Sequence, residues 1–373
     1  MISSQNPIQT TTNFIKHLRT GTSPSESPSG SGSDHFIHHS LDSVPAYVLE
    51  HAPLVYLHPN EPFWPASLQE HLKHTIIHSH RRQPVHPPSH DPFSVLAQPH
   101  LNHERSYLTA TVNVRPGPRQ HPWLVSIDGK PDRDHLSKAS AAILILVDKS
   151  TLLGIPGTLD AFWFFFYSFN LGPTVANIRF GNHISDWEHC MIRFENGKPK
   201  AVHLSAHSDG AAYTYDSLTK TDDRKRPIIF SAFGSHAMYP KPGTHDYSPV
   251  KFIGPVDRTD YGPLWDPALH FSAFQHYPSP AKDKFRALDE AKDGKLLSCL
   301  KFRGQWGDEF SNPTTLEASQ NGGWKSSLKM IDPVKRAVTL NHLRWGNGVT
   351  GPRDKDLDRI GMNRRSHKIF QTI

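Results

Sequence analysis

Alternation of apolar and polar positions dominates this chain and predicts short strands rather than helices. The run Asp186-Trp-Glu-His-Cys-Met-Ile-Arg-Phe194 reads as one strand, closed by Glu195-Asn196-Gly197-Lys198-Pro199. Asn-Gly with a proline just beyond is a strong turn signal. Successive strand side chains face opposite sides. Asp186, Glu188, Cys190, Ile192 and Phe194 therefore share one face, and Trp187, His189, Met191 and Arg193 share the other. Lys200–His207 alternates next and ends at Ser208-Asp209-Gly210, with Ala212–Tyr215 as its returning partner. Arg226–Phe233 is a further strand, broken at Gly234-Ser235-His236-Ala237. Lys138–Asp148 and Leu159–Tyr167 are the most apolar segments, and Ala161–Tyr167 is aromatic on both faces. A strand of that kind belongs between two packed layers.

Helical spacing is rarer. Ala46–Leu49 reads as a short helix before a strand around Leu54–Leu57, which runs into the polar turn Pro59-Asn60-Glu61. Ser67–Ile77 carries helical spacing at Leu68, Leu72 and Ile76, as does Pro280–Leu300 at Phe285, Leu288, Leu296 and Leu297. Residues 78–122 are rich in His and Pro and read as loop apart from a strand over Tyr107–Val114, and Pro240–Tyr247 reads as a polar loop. Short strands at hairpin spacing predict a mainly β fold, an antiparallel β-sandwich with long loops and a few peripheral helices. Residues 1–43 read as a disordered or loosely ordered segment, since Thr22–Asp34 is almost purely Ser, Pro and Gly. Residues 44–355 read as the sandwich domain and 356–373 as a basic tail.

Composition agrees with this division. The chain has 373 residues with 32 Pro, 24 Gly and 10% aromatics, a balance that suits loops and strands better than a helical bundle. Lys and Arg number 41 against 35 Asp and Glu. That modest, scattered excess predicts no nucleic-acid binding. The 26 histidines make the net charge respond between pH 5 and 7. Two cysteines, Cys190 and Cys299, permit one disulfide at most, which excludes a disulfide-stapled scaffold. Cys190, among apolar neighbours, reads as a buried thiol. No run of about 18 apolar residues predicts a spanning helix. The first residues lack a basic stretch followed by an apolar core, so an intracellular protein is expected.

The chemistry concentrates at strand ends. His183, Asp186 and Glu188 fall at one, His207, Ser208 and Asp209 at a second, Ser235 and His236 at a third, His245 and Asp246 at a fourth. Strand ends of one sheet gather at one rim, where sites are usually built. Asp186 and Glu188 are roughly 6–7 Å apart at the Cα level if both lie in a strand. They could share one hard cation; without it, one of them would be pushed up in pKa. His183, Asp186 and Glu188 are the candidate metal set, with His207, His236 and Asp246 as further ligands. Carboxylates and water suit Ca²⁺ or Mg²⁺ first; Zn²⁺, Mn²⁺ or Fe²⁺ would need more histidines. The same groups suit acid–base chemistry, with His183, Asp186, Glu188 and His236 as candidate catalytic residues. The chain has no Gly-x-Ser-x-Gly, His-Glu-x-x-His, Walker loop or Gly-x-Gly-x-x-Gly. Ser205 and His207 could share a face, yet no further serine-hydrolase feature accompanies them.

Several segments together resemble the fungal vacuolar protein sorting-associated protein 62 (Vps62) family. They are His51-Ala-Pro-Leu-Val-Tyr-Leu-His-Pro-Asn-Glu61, Phe165-Phe-Tyr-Ser-Phe-Asn-Leu-Gly-Pro173, Gly181-Asn-His-Ile-Ser-Asp-Trp-Glu-His189, Ser205-Ala-His-Ser-Asp-Gly210, Arg226–Ala237, Pro242–Tyr247 and Phe302-Arg-Gly-Gln-Trp-Gly-Asp308. The resemblance spans about residues 46–355 and implies a mostly β architecture and, by name, protein delivery to the vacuole. Gly…His-x-x-Asp-Trp-Glu is also similar to the signature of the necrosis-inducing Nep1-like proteins, sandwich-fold toxins that hold a divalent cation there and act on plant membranes. That signature maps onto His183, Asp186 and Glu188, with one extra residue between Gly181 and His183. Three classes of function follow. The first is a trafficking module that binds a ligand, a trafficking partner or a membrane surface and associates with the vacuole. The second is a metal- or acid/base-dependent hydrolase or isomerase, and the third a Nep1-like membrane-active protein.

Overall fold

A computed structural model describes residues 41–79, 91–175, 178–179, 181–207, 209–246, 255–279, 284–309, 345–364 and 368–373. The expected disorder of residues 1–40 lies outside them. An eight-stranded sheet runs through the middle of the molecule. Its strands lie in the order Phe285–Ala287, Phe271–His276, Ala142–Asp148, Thr158–Asn170, His183–Glu195, Lys198–Leu204, Ala211–Thr214 and Ile369–Phe370. Neighbours are antiparallel except at two joints near the flanks, Phe271–His276 on Ala142–Asp148 and Ile369–Phe370 on Ala211–Thr214.

Sequence alternation sorts this sheet into two faces. Phe162, Phe164, Phe166, Trp187 and Met191 point to one face and pack against Leu72, Leu96, Leu108 and Trp306. That layer holds the helices Leu68–Lys73 and Pro92–Ala97 and a four-stranded sheet of Val349–Thr350, Gln305–Trp306, Ser106–Ala110 and Thr75–Ser79. Trp163, Phe165, Tyr167, Cys190 and Ile192 point the other way, onto Val55, Ile229, Met238 and Trp265. Those four belong to a second four-stranded sheet, Met238–Tyr239, Ile228–Ser231, Leu54–Leu57 and Leu264–Trp265. Every residue of Thr158–Asn170 is buried, as a strand between two layers must be. Each large side chain removed from water there stabilises by about 1.5–3 kcal/mol. The fold is mainly β, layered as a sandwich, with long loops and short peripheral helices.

Buried charges pin the layers. Arg226 grips Asp266 with two bonds of 2.7 and 2.5 Å and donates to the Ala52 carbonyl at 2.8 Å. Arg193 holds both oxygens of Asp160 at 2.7 Å and reaches the Ile360 carbonyl at 2.7 Å. Lys149, fully buried, donates to the carbonyls of Leu357 and Arg359 at 2.5 and 3.1 Å. Residues 356–364 thus lie across the sheet rather than trailing from it.

Some local expectations are corrected. The helix read over Ser67–Ile77 ends at Lys73, and Ile76 belongs to the strand Thr75–Ser79. The loop read over 78–122 contains the helix Pro92–Ala97: Asp91 caps the Phe93 N–H at 3.1 Å and Pro92 takes the first position, where proline fits. The polar loop 240–247 contains the strand Gly243–Asp246, paired with Val256–Thr259. Pro280–Leu300 is split: Phe285–Ala287 is a strand, followed by the short helices Glu290–Asp293 and Leu297–Lys301. Among the described residues no helix is long and apolar enough to cross a membrane.

Candidate functional site

The stretch read as a turn before a strand is itself strand from His183 onward. Ser185 takes a left-handed backbone, φ 61°, an uncommon conformation for a non-glycine residue. Two contacts hold it there. Its Oγ is bonded to His71 Nε2 at 2.8 Å, and the other His71 nitrogen is bonded to Ser168 Oγ at 3.1 Å. Burial lowers His71 to about 3, so that ring is neutral. His183 Nδ1 donates to the Ser185 carbonyl at 2.6 Å, which fixes its half-buried ring beside the strand.

Asp186 and Glu188 lie on one face as alternation requires, opposite Tyr167 and Phe165 in the neighbouring strand. They are 4% and 6% exposed, as buried as core residues. His236 meets Asp186 from the loop after Ile228–Ser231: its Nδ1 is 3.0 Å from Asp186 Oδ2. Its Nε2 lies 3.1 Å from the Phe63 carbonyl and 3.5 Å from Glu61 Oε1. The ring stacks on Tyr167, 3.7 Å between centroids and 3° from parallel. His236 also has a left-handed backbone, φ 57°, and follows a tight turn at Gly234. There a side chain would meet the Leu171 carbonyl at 2.8 Å. The Gly234 N–H donates to Glu61 Oε2 at 2.7 Å, and the Phe63 N–H donates to Glu61 Oε1 at 2.9 Å. Burial opposes charge on His236, but Glu61 and Asp186 outweigh it and raise the ring to about 9. The ring is therefore a cation at neutral pH, clamped between two carboxylates.

Glu188 is different. Ser205 Oγ donates to it and accepts the His189 N–H at 2.7 Å. Burial first, then the Asp186 carboxylate, push Glu188 up to about 8, against the pull of Lys355, Ser205 and His207. The Lys355 ammonium is lowered by burial, with Glu188 and Asp186 opposing that shift. Nearby, His207 Nε2 bonds Asp257 Oδ2 at 2.7 Å, and Asp257 also accepts from Ser235 at 2.6 Å and Tyr239 at 2.7 Å. Burial works against both charges of that pair, yet the contact raises His207 and lowers Asp257. The rim thus gathers the carboxylates of Glu61, Asp186, Glu188 and Asp257 around His236, His207 and Lys355. One carboxylate is in excess, and Glu188 answers by keeping a proton.

Of the residues singled out from sequence, Asp186, Glu188 and His236 come together, and His207 borders them through Asp257. His183 stands at the edge, its Nδ1 committed to backbone. Asp246 is exposed at the end of its hairpin strand, opposite Val256. Ser205 is bonded to Glu188 rather than to His207, which gives no nucleophile–base pair. Among the described residues no group of three or more His, Cys, Asp and Glu side chains is arranged to hold a metal ion. A closed three-ligand centre does not fit; two carboxylates completed by water would suit only a hard cation. Sequence reading missed Glu61, Asp257 and Lys355. Glu61 carried the signal applied elsewhere, a polar residue just past the end of a strand.

The model of the vacuolar protein sorting-associated protein 62 family matches residues 142–250, the span holding the two long strands, Ser205, His207 and His236. Over 348 residues the chain is 32% identical to vacuolar protein sorting-associated protein 62 of Saccharomyces cerevisiae, covering 87% of this chain and 68% of that protein. It is also 32% identical over 357 residues to TDA6 of the same yeast, covering 87% and 69%. The chain belongs to the Vps62 family. Among solved structures it is similar to Necrosis and Ethylene inducing Protein 2 from the causal agent of cocoa's Witches Broom disease. The identity there is 11% and the TM-score 0.27, over 57% of this chain and 76% of that one. It is likewise similar to NLPPya in complex with mannosamine, with 10% identity and TM-score 0.26, over 62% and 72%. Those scores are too low to bear on function.

Proposed function

We propose that this chain acts in protein delivery to the vacuole as a ligand-binding module, and that its rim cluster takes a hard divalent cation, Ca²⁺ or Mg²⁺, on Asp186 and Glu188. The family membership supports the cellular role. One observation carries the site: Glu188 is buried beside Asp186 with no cation in direct contact among the described residues, and burial and that neighbour raise it to about 8. A buried carboxylate in that position either keeps a proton or gains a positive partner. Asp186 and Glu188 are the residues that would hold the ion, and the ion would supply a fixed positive charge for an anionic ligand group. His236 orients Asp186 through its 3.0 Å contact.

The test is rescue. A yeast strain lacking both 32%-identical relatives is given the wild-type chain or the Asp186→Asn/Glu188→Gln variant, and delivery of a vacuolar hydrolase is scored. The reading expects wild type to restore delivery and the variant, present at equal abundance, to fail. Equal rescue by both would remove the site from the function, and no rescue by wild type would remove the role.

A further inference from the structure

The opposite face of the same strands carries a second polar cluster that the rim does not use. Arg359 comes down from the segment crossing the sheet and is 6% exposed. Its guanidinium carbon lies 5.0 Å over the Phe162 ring. One terminal nitrogen donates to the Lys355 carbonyl at 3.1 Å, the other contacts Met191 Sδ at 3.4 Å, and Nε has no partner. No carboxylate is hydrogen-bonded to it among the described residues, and Asp160 is already held on both oxygens by Arg193. His189, 3% exposed, packs 5.0 Å from Phe164 and 5.4 Å from His203, and neither of its ring nitrogens has a partner. His203 sits directly across from Met191 in the sheet, and its Nδ1 is tied to Asn363 Oδ1 at 3.0 Å.

This arrangement is costly as it stands. Asp160 and Asp356 act on the buried guanidinium through their charge, but neither is hydrogen-bonded to it, and a buried polar group without a hydrogen-bond partner is destabilising. The unmet groups are donors or neutral imidazoles, and the charged side chains acting on the two rings, Arg359 and Arg364 among them, are positive. Burial and the Arg359 charge both keep His189 and His203 neutral. A neutral imidazole still offers one N–H.

We propose that Arg359 Nε and the His189 ring form a buried site for a small oxyanion of the phosphate type, enclosed beneath residues 357–363. The anion supplies a hydrogen-bonded counter-charge and accepts from both groups. It thereby locks the crossing segment onto the sheet. This site is independent of the rim cation: it lies on the other face and uses none of Asp186, Glu188 or His236.

Inorganic phosphate titrated into the full chain by calorimetry, with thermal unfolding in parallel, tests it. Wild type is expected to bind one phosphate per chain with a dissociation constant at or below the millimolar range, and to melt higher in phosphate than in chloride at equal ionic strength. Arg359→Met keeps the contact with Phe162 but removes the charge, and should weaken binding at least tenfold. His189→Phe keeps the ring packing and should weaken it less. Arg359→Lys, the variant least prone to misfold, keeps the charge without Nε and should fall between. No saturable binding to wild type, or equal binding and equal melting increments in wild type and Arg359→Lys and Arg359→Met, would overturn the site and leave the cluster to buried water.

Discussion

The two long central strands have a lower and an upper half, built on opposite principles from equally buried residues. In the lower half, Trp163, Cys190 and Ile192 are 0% exposed and belong to the apolar cluster that includes Val55, Ile229 and Trp265. In the upper half, Asp186 and Glu188 are almost as buried; Asp186 meets His236, which also faces Glu61, and Glu188 meets Ser205. The lower half is stabilised by area removed from water, which pH does not touch. The upper half is stabilised by charges that nearly cancel, and its balance shifts with every proton gained or lost. The molecule can respond to pH at its rim, because a rigid apolar base carries titratable groups there.

The largest expected effect breaks the base. Trp163→Ala should cost about 3–5 kcal/mol at every pH, read by denaturant unfolding at pH 5.5, 7 and 9.

The rim should behave otherwise. His236 is raised from its ordinary 6.5 to about 9, worth roughly 3 kcal/mol. A group whose folded pKa is raised gives stability that is full below pH 6.5 and is lost as pH climbs through about 9. His236→Phe should therefore destabilise by about 3 kcal/mol at pH 6 and by little at pH 9.5. A pH-independent loss would show that packing on Tyr167, not charge, is what His236 supplies.

Glu188 pulls the same way by the other route. A carboxylic acid raised from 4.5 to about 8 means that the folded state holds a proton the unfolded chain gives up. Stability then declines as pH rises from about 4.5 to 8. Glu188→Gln should flatten that decline and make the protein roughly 2 kcal/mol more stable than wild type at pH 8, measured by thermal melting across pH. Ser205→Ala is the smallest change. It removes one bond to Glu188 and one to the His189 N–H, and should cost about 1 kcal/mol.

How much of this was readable beforehand follows the same division. The base is written in local pattern: aromatic residues on both faces of 161–167 announce a strand between layers, and alternation after Asp186 assigned the faces of His189, Cys190 and Met191. The geometry of the rim is less local. That Asp186 and Glu188 share a face is a matter of parity, and strand ends hinted at His236. Glu61 meets His236 across 175 residues, and Lys355 acts on Glu188 by its charge from 167 residues away, so no spacing rule links them. The commitment of His183 to the Ser185 carbonyl depends on a left-handed backbone that His71 holds in place, a contact between distant elements. The helix Pro92–Ala97 was hidden differently, since its Asp-Pro start sits in a His- and Pro-rich stretch whose composition suggests loop.

The rim gathers one carboxylate more than its cations, and the proposed divalent ion would compete with the Glu188 proton for it. Calorimetric titration of Ca²⁺ and Mg²⁺ into wild type and the Asp186→Asn/Glu188→Gln variant, at pH 6 and pH 8.5, addresses that directly. Wild type should bind one ion saturably, more tightly at pH 8.5 and with proton release at pH 6, where Glu188 is still protonated, and the variant should bind none. Binding that ignores pH, or that survives in the variant, would contradict that expectation, as would the absence of binding to wild type at both pH values.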